Sequence, residues 1–298
     1  MGEIAAILTA ICWGLSSIFF TATIREVGPI PVNRVRLLFA VPLLVITHTL
    51  LTGQLFPIHA EPYRWLWFGL SGIIGLVIGD TLLFASYTLI GNRLGTLLMA
   101  SVPVMSSLAA FLFLGETLDL FSMLGILICV AGISLVVLER GNVNGHGNTL
   151  EKRRFWLGVL AGLGGALGQA IGLVMAKQGL GGDFPAISGT LIRMLAAMLF
   201  IWAITIFMGQ THQTLQKVFS SFKLVRNIFG GSLVGPFIGV WLSQIAIQHT
   251  SVGIASTLMA LTPIFLLPVA KWYYQETVSS RAMLGTVIAL AGVAIIFI

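Results

Sequence analysis

Long apolar runs separated by short polar punctuation constrain this chain more than any other feature. Ten can be drawn, at about 3–23, 32–52, 65–90, 94–115, 118–138, 156–177, 185–208, 226–249, 252–274 and 279–298. A helix needs about 20 predominantly apolar residues to cross a bilayer, and each run is near that length. Charged residues make up 9% of the chain, against about 25% in soluble domains, so a water-facing shell cannot be built. The fold class expected is an all-α integral membrane protein of about ten transmembrane helices, with the lipid bilayer as its solvent. The first run lacks a basic leader and a small-residue cleavage site after Met1-Gly2-Glu3, and is read as a retained helix.

Most separators are brief turns, such as Gly28-Pro29-Ile30-Pro31 and Gly181-Gly182-Asp183. Two are longer and polar, residues 139–154 and 209–223. The first lies at the midpoint. Displacing the chain by 160 residues explains why: Leu98-Met99-Ala100 meets Leu258-Met259-Ala260, and Pro103 meets Pro263. Glu116-Thr117 then meets Glu276-Thr277, Met123-Leu124-Gly125 meets Met283-Leu284-Gly285, and Ala131-Gly132 meets Ala291-Gly292. Gly75 and Gly79 meet Gly235 and Gly239, a GxxxG spacing in each half that suits close helix contact. A fixed internal period is the signature of duplication. The expected organisation is a first repeat over 1–139, a polar linker over 140–154 and a second repeat over 155–298. Five spans per half is an odd number, so the second half must thread the membrane inverted, the plan of many secondary transporters.

Positive residues gather beside the odd-numbered loops, from Arg25, Arg34 and Arg36 through Arg140 and Lys152 to Lys223, Arg226 and Arg281. The opposite side carries Arg64 and Lys177. The positive-inside rule therefore puts both termini outside.

Trp13-Gly14 in the first span, Pro103 followed by Gly115-Glu116, Gly125 and Ala131-Gly132, and their repetition as Pro263, Glu276, Gly285 and Ala291-Gly292 resemble the EamA-type branch of the drug/metabolite transporter superfamily. The resemblance implies a basket of two inverted five-helix domains acting as a secondary transporter, often exporting amino acids or related metabolites. It also implies cytoplasmic termini, opposite to the charge count, and Gln275 stands where the pattern of the first half has Gly115.

Asp80 is the sharpest single signal. A carboxylate in mid-span costs about 3 kcal/mol or more on insertion scales and should face a cavity with a partner; it is a candidate for holding a substrate amine or a coupling proton. Phe84 and Tyr87 share its helix face, and Val240 takes its place in the second half. Trp241, Gln244 and Gln248 form a stripe on the eighth span. Trp13, Ser16 and Gln169 mark the first helix of each half. Aromatic walls with a few polar groups suit a small organic solute; packing and interhelical hydrogen bonds are the competing use of the same residues. Arg36 and Arg193, equivalent in the two halves, read either as anchors for an anionic group or as snorkelling side chains. Glu116 and Glu276 precede the fifth and tenth spans, next to Thr117 and Thr277, and are expected to cap or gate. Pro103 and Pro263 are expected to kink their helices.

Other classes of function find little support. Gly69-Leu70-Ser71-Gly72 matches a GxSG string, but a serine nucleophile needs a nearby histidine, and His48 and His249 lie at helix ends. A passive channel would show a repeated filter or a charged ring. Cys12 and Cys129 have no metal-ligand spacing, and no phosphate loop or basic stacking surface exists, so no cofactor, metal or nucleic acid is expected. The expected cargo is a small-molecule metabolite, with a multidrug or lipophilic-cation exporter as the alternative, in a bacterial cytoplasmic (inner) membrane, as a monomer or homodimer.

Overall fold

The computed structural model describes residues 1–139, 149–265 and 280–296, and every element in them is helical. Six stretches are long and apolar enough to cross a membrane: Gly2–Val27, Pro29–Thr52, Pro62–Gly91, Lys152–Gly179, Ala186–Phe207 and Phe222–His249. Shorter apolar helices occupy Val102–Leu114, Leu120–Leu135, Val252–Phe265 and Met283–Ile295. Large apolar side chains such as Leu50, Phe113 and Phe207 are exposed around the outside, the pattern of a bundle whose rim meets acyl chains. This is an integral, multi-pass membrane protein.

In chain order the elements are α1 (Gly2–Val27), α2 (Pro29–Thr52), α3 (Pro62–Ser71), a π-helical stretch π1 (Gly72–Gly79), α4 (Asp80–Met99), α5 (Val102–Leu114) and α6 (Leu120–Glu139). Then follow α7 (Thr149–Gly179), α8 (Ala186–Phe207), α9 (Thr211–Phe219), α10 (Phe222–Ser232), π2 (Leu233–Gly239), α11 (Val240–His249), α12 (Val252–Met259) and a last helix, α13 (Ser280–Ile296). Gly91 (φ 84°) turns the chain inside α4, a conformation that costs a residue with a Cβ but not glycine.

Three expectations change. Residues 149–154, assigned to the linker, are the first turns of α7, and residues 140–148 lie outside the described set. The polar stretch 209–223 holds the short helix α9, buried at Thr214 and Val218. Pro103 does not kink a helix interior: it sits in the first turn of α5, after a break at Ala100-Ser101, where its missing N–H leaves no bond unmade. Pro263 follows the same interruption at Ala260-Leu261.

The two π-helical stretches stand about 160 residues apart in the chain. π1 and π2 fall on each other at that displacement, and each receives the first long helix from the other half of the chain. Gly79 lies against Gly165 and Gln169 of α7, while Gly239 lies against Cys12 and Trp13 of α1. At the far side α6 and α13 cross with reciprocal glycines: a Cβ on Gly132 would meet Ala289 N and Gly285 O, and one on Gly292 would meet Cys129 N and Gly125 O. Small residues at a crossing let two backbones touch, so these glycines mark the seams of the bundle.

Candidate functional site

Between these seams lies a cavity of about 180 Å³. The face of α1 that runs from Trp13 through Ser16, Ser17, Phe20 and Ile24 forms one wall. Leu76 of π1 and Asp80, Phe84 and Tyr87 of α4 form the second. Arg36 of α2, Gln169 of α7, Arg193 of α8, Gly235 and Pro236 of π2, Val240 of α11 and the α12 region through Pro263 lie on the remaining sides. The structure thus gathers Trp13, Ser16, Asp80, Phe84, Tyr87, Gln169, Arg193 and Pro263 around one space. Trp241 and Gln244, expected on the same face, do not line it. Trp241 packs among buried side chains beside Phe237. Gln244 is fully buried, with neither amide atom hydrogen-bonded among the described residues. Gln248 donates to the Phe184 carbonyl.

Asp80 has the partner its depth demands. Arg36 Nη2 donates to Asp80 Oδ2 in a direct ion pair, and the same guanidinium donates from Nε to Asn33 Oδ1 (2.8 Å) and from Nη2 to the Leu76 carbonyl (3.3 Å). Asn33 Nδ2 donates to Thr81 Oγ1 at 2.9 Å. Leu76 lies in π1, where the wide turn loosens the regular i→i−4 ladder and leaves carbonyls to side chains. Two rings cover the pair: the Arg36 Cζ stands 5.3 Å from the Phe84 centroid and 5.9 Å from that of Phe20. Arg36 therefore anchors a carboxylate instead of snorkelling. Arg34, two residues earlier in the same helix, is buried too, donating to Thr214 Oγ1 and Gln210 Oε1. Both arginines thus leave the set of free loop charges from which orientation was read.

Among the described residues Arg193 is the largest fully buried side chain, 1% exposed. Its slot is cut by glycines. A Cβ on Gly75 would come within 2.9 Å of Nη2 and one on Gly172 within 3.3 Å, while one on Gly72 would strike the Arg193 carbonyl. Nε and Nη2 have no hydrogen-bond partner among the described residues.

At the end of the bundle opposite Ile24, polar contacts tie loops together. Lys177 Nζ donates to the Thr250 and Ile247 carbonyls and stands 3.8 Å from Glu116 Oε1. Glu116 Oε2 accepts from Val252 N at 2.8 Å, so it caps α12 and not the helix that follows it in sequence. That helix, α6, is capped by Asp119, whose Oδ1 accepts from Ser122 N at 2.8 Å; this bond holds the Asp119 carboxyl below its ordinary value. Glu276 lies outside the described residues. Ser71 of the GxSG string donates to the Gly172 carbonyl, and His48 meets Ser188 at 3.0 Å.

Sequence reasoning missed Phe20 and Asn33. Phe20 was legible, since Trp13, Ser16, Phe20 and Ile24 recur at helical spacing on one face of α1. Asn33 gave no signal, because its role depends on a carbonyl opened by a π turn 43 residues away.

A bundle of apolar helices around a buried, partly polar cavity is the construction of a membrane transporter, and comparison with known proteins agrees. The sequence model of the EamA-like transporter family matches residues 1–138 and again 156–298; the chain belongs to that family, within the drug/metabolite transporter superfamily. It is similar to the protein PagO of Salmonella typhimurium, 22% identical over 98% of this chain and 91% of PagO. A 68-residue stretch is 41% identical to the probable 4-amino-4-deoxy-L-arabinose-phosphoundecaprenol flippase subunit ArnE of Erwinia tasmaniensis, covering 22% of this chain and 61% of ArnE. A solved crystal structure with 16% identity superposes with a TM-score of 0.77 over 99% of this chain and 95% of its own, which establishes a shared fold.

Proposed function

We propose that this protein is a secondary transporter that moves small organic metabolites, amino acids or related solutes, out of the cell by alternating access. The observation that carries the reading is the cavity: aromatic walls, one ion pair and one buried arginine, contributed by helices from both ends of the chain. Ten spans in two inverted five-helix repeats, 1–139 and 155–298, joined through 140–154, are the organisation that best accounts for the paired π stretches, the reciprocal glycines and the twofold match to the family. In this reading Trp13, Ser16, Phe84, Tyr87 and Gln169 form the solute's walls, Asp80 and Arg193 its polar contacts. The Lys177–Glu116 contacts and the caps beneath them form the closed end. Opening there would break those contacts while the other end closes.

The test is counterflow into proteoliposomes against a panel of amino acids, nucleosides, sugars and lipophilic cations. Single cysteines along α4 and α11, in a background lacking Cys12 and Cys129, report the cavity. Cysteines at Phe84 or Tyr87 are expected to react with a water-soluble thiol reagent and to be protected by the exchanged solute. Uniform inertness along both helices would remove the aqueous site.

We place the protein in a bacterial cytoplasmic membrane with both termini outside. Arg64 and Lys177, the cations of the terminal side, are held by Glu61, Glu116 and carbonyl groups. Exposed Lys152, Arg153 and Arg154 remain on the other side. A phosphatase fused after Ile298 is expected to be active and a fluorescent protein there dark; the reverse result would mean cytoplasmic termini.

A further inference from the structure

The cavity's charges do not cancel. Among the described residues that line it, the ionisable side chains with fixed charge are Arg36, Asp80 and Arg193. Asp80 is taken by Arg36 in a direct ion pair, and Arg36 has two further acceptors, Asn33 and Leu76. That leaves Arg193 as one positive charge in excess, fully buried and with its Nε and Nη2 donors unpartnered. Asp80 attracts it through space but is already paired with Arg36, and a buried charge whose donors make no hydrogen bond is costly. Nη2 rests in the glycine slot against Gly75 and Gly172, so the excess charge acts on the cavity from its wall, through a medium that screens it far less than water does. The cavity's other walls are largely aromatic and aliphatic, from Trp13, Phe20, Leu83 and Phe84.

We infer that the cargo is an organic monoanion, a carboxylate on an apolar or aromatic body, and that its carboxylate neutralises Arg193. The inference rests on the transport reading above and narrows it from amino acids, most of which are zwitterions, to related acids that carry a net negative charge. A monoanion brings the site to neutrality, and a zwitterion leaves the excess charge in place. A cation adds a second one, in a medium where like charges repel far more strongly than in water. The lipophilic-cation exporter is thereby disfavoured by the site's own charge. The glycine slot formed by Gly72, Gly75 and Gly172 serves this role by holding the guanidinium at the cavity wall.

Three probes share one aromatic body and differ only at the head: 3-phenylpropionate, phenylalanine and phenethylamine. With wild-type protein in proteoliposomes, 3-phenylpropionate should exchange saturably. Phenylalanine should be at least tenfold weaker, and phenethylamine should not exchange. Arg193→Met should lower the affinity for 3-phenylpropionate at least tenfold, whereas Arg193→Lys, which keeps the charge, should retain the order anion above zwitterion above cation. If Arg193→Met does not insert, the wild-type ranking still decides. Phenethylamine exchanging as well as 3-phenylpropionate would overturn the inference, as would an Arg193→Met affinity within twofold of wild type. Exchange of other solutes in the broad panel with none of these three would overturn it and leave the transport reading standing. No exchange of any solute would remove both.

Discussion

Replacing Asp80 by Asn is expected to reduce transport at least a hundredfold while leaving an inserted, monodisperse protein. Asn keeps the shape and one acceptor for Arg36, and Arg36 retains Asn33 and the Leu76 carbonyl, so the guanidinium stays where it is. What changes is charge. Asp80 is the only carboxylate among the described cavity-lining residues, and without it Arg36 and Arg193 stand in the same cavity unopposed. Removing one partner of a buried pair costs about 3–5 kcal/mol; the remaining acceptors of Arg36 and the partial exposure of Asp80, 16%, keep the loss of stability toward the lower end. The loss of transport is larger because each half-cycle must carry the unbalanced charge. The readout is counterflow of the best-exchanged solute in the panel, with size-exclusion profile and thermal stability measured alongside. Exchanging the pair, Arg36→Asp with Asp80→Arg, restores the net charge and should recover part of the activity. Wild-type transport by Asp80→Asn from pH 5.5 to 8 would make Asp80 a structural residue and shift the site to the aromatic wall.

What the sequence made legible was whatever depended on local pattern. The apolar runs are hydropathy alone, and Pro62–Gly91 and Phe222–His249 lie where 65–90 and 226–249 were expected. The glycines Gly75, Gly79, Gly235 and Gly239 could be singled out because their spacing is a statement about one helix face, and all four lie in π1 or π2 against a neighbouring helix or side chain. Asp80 could be found because a mid-span carboxylate is costly wherever it sits. Its partner could not be chosen: Arg36 and Arg193 are equivalent by sequence, and only the register of α2 against π1 gives Asp80 to the first. The same limit explains Glu116, whose carboxylate was expected to cap the helix beside it. Capping chemistry is readable from a residue and its neighbours, but α12 comes within reach only through tertiary packing. Gln244 failed for the converse reason, since a polar stripe on α11 states which residues share a face and not whether that face meets a cavity or another helix.

The crossing of α6 and α13 yields the second large effect. Gly132→Ala would place a methyl 2.4 Å from Ala289 N and 2.6 Å from Gly285 O; Gly292→Ala would place one 2.5 Å from Cys129 N and 2.7 Å from Gly125 O. All four obstacles are backbone atoms, which cannot swing aside as a side chain would, so the helices must separate by about an ångström. Overpacking of this kind costs about 1–3 kcal/mol, more where the neighbours cannot yield, and here each substitution also parts close contacts along the whole crossing. Either variant alone should lower the unfolding temperature in detergent by several degrees, and because the two contacts are reciprocal the two losses should be similar. The double variant tests the geometry further. Once the first methyl has pushed the helices apart, the second finds room already made, so the combined loss should fall short of the sum, as expected for neighbours that share one displacement. Strict additivity would mean that the two glycines sit on independent contacts, and a loss below one degree for either would mean that the backbones do not touch there.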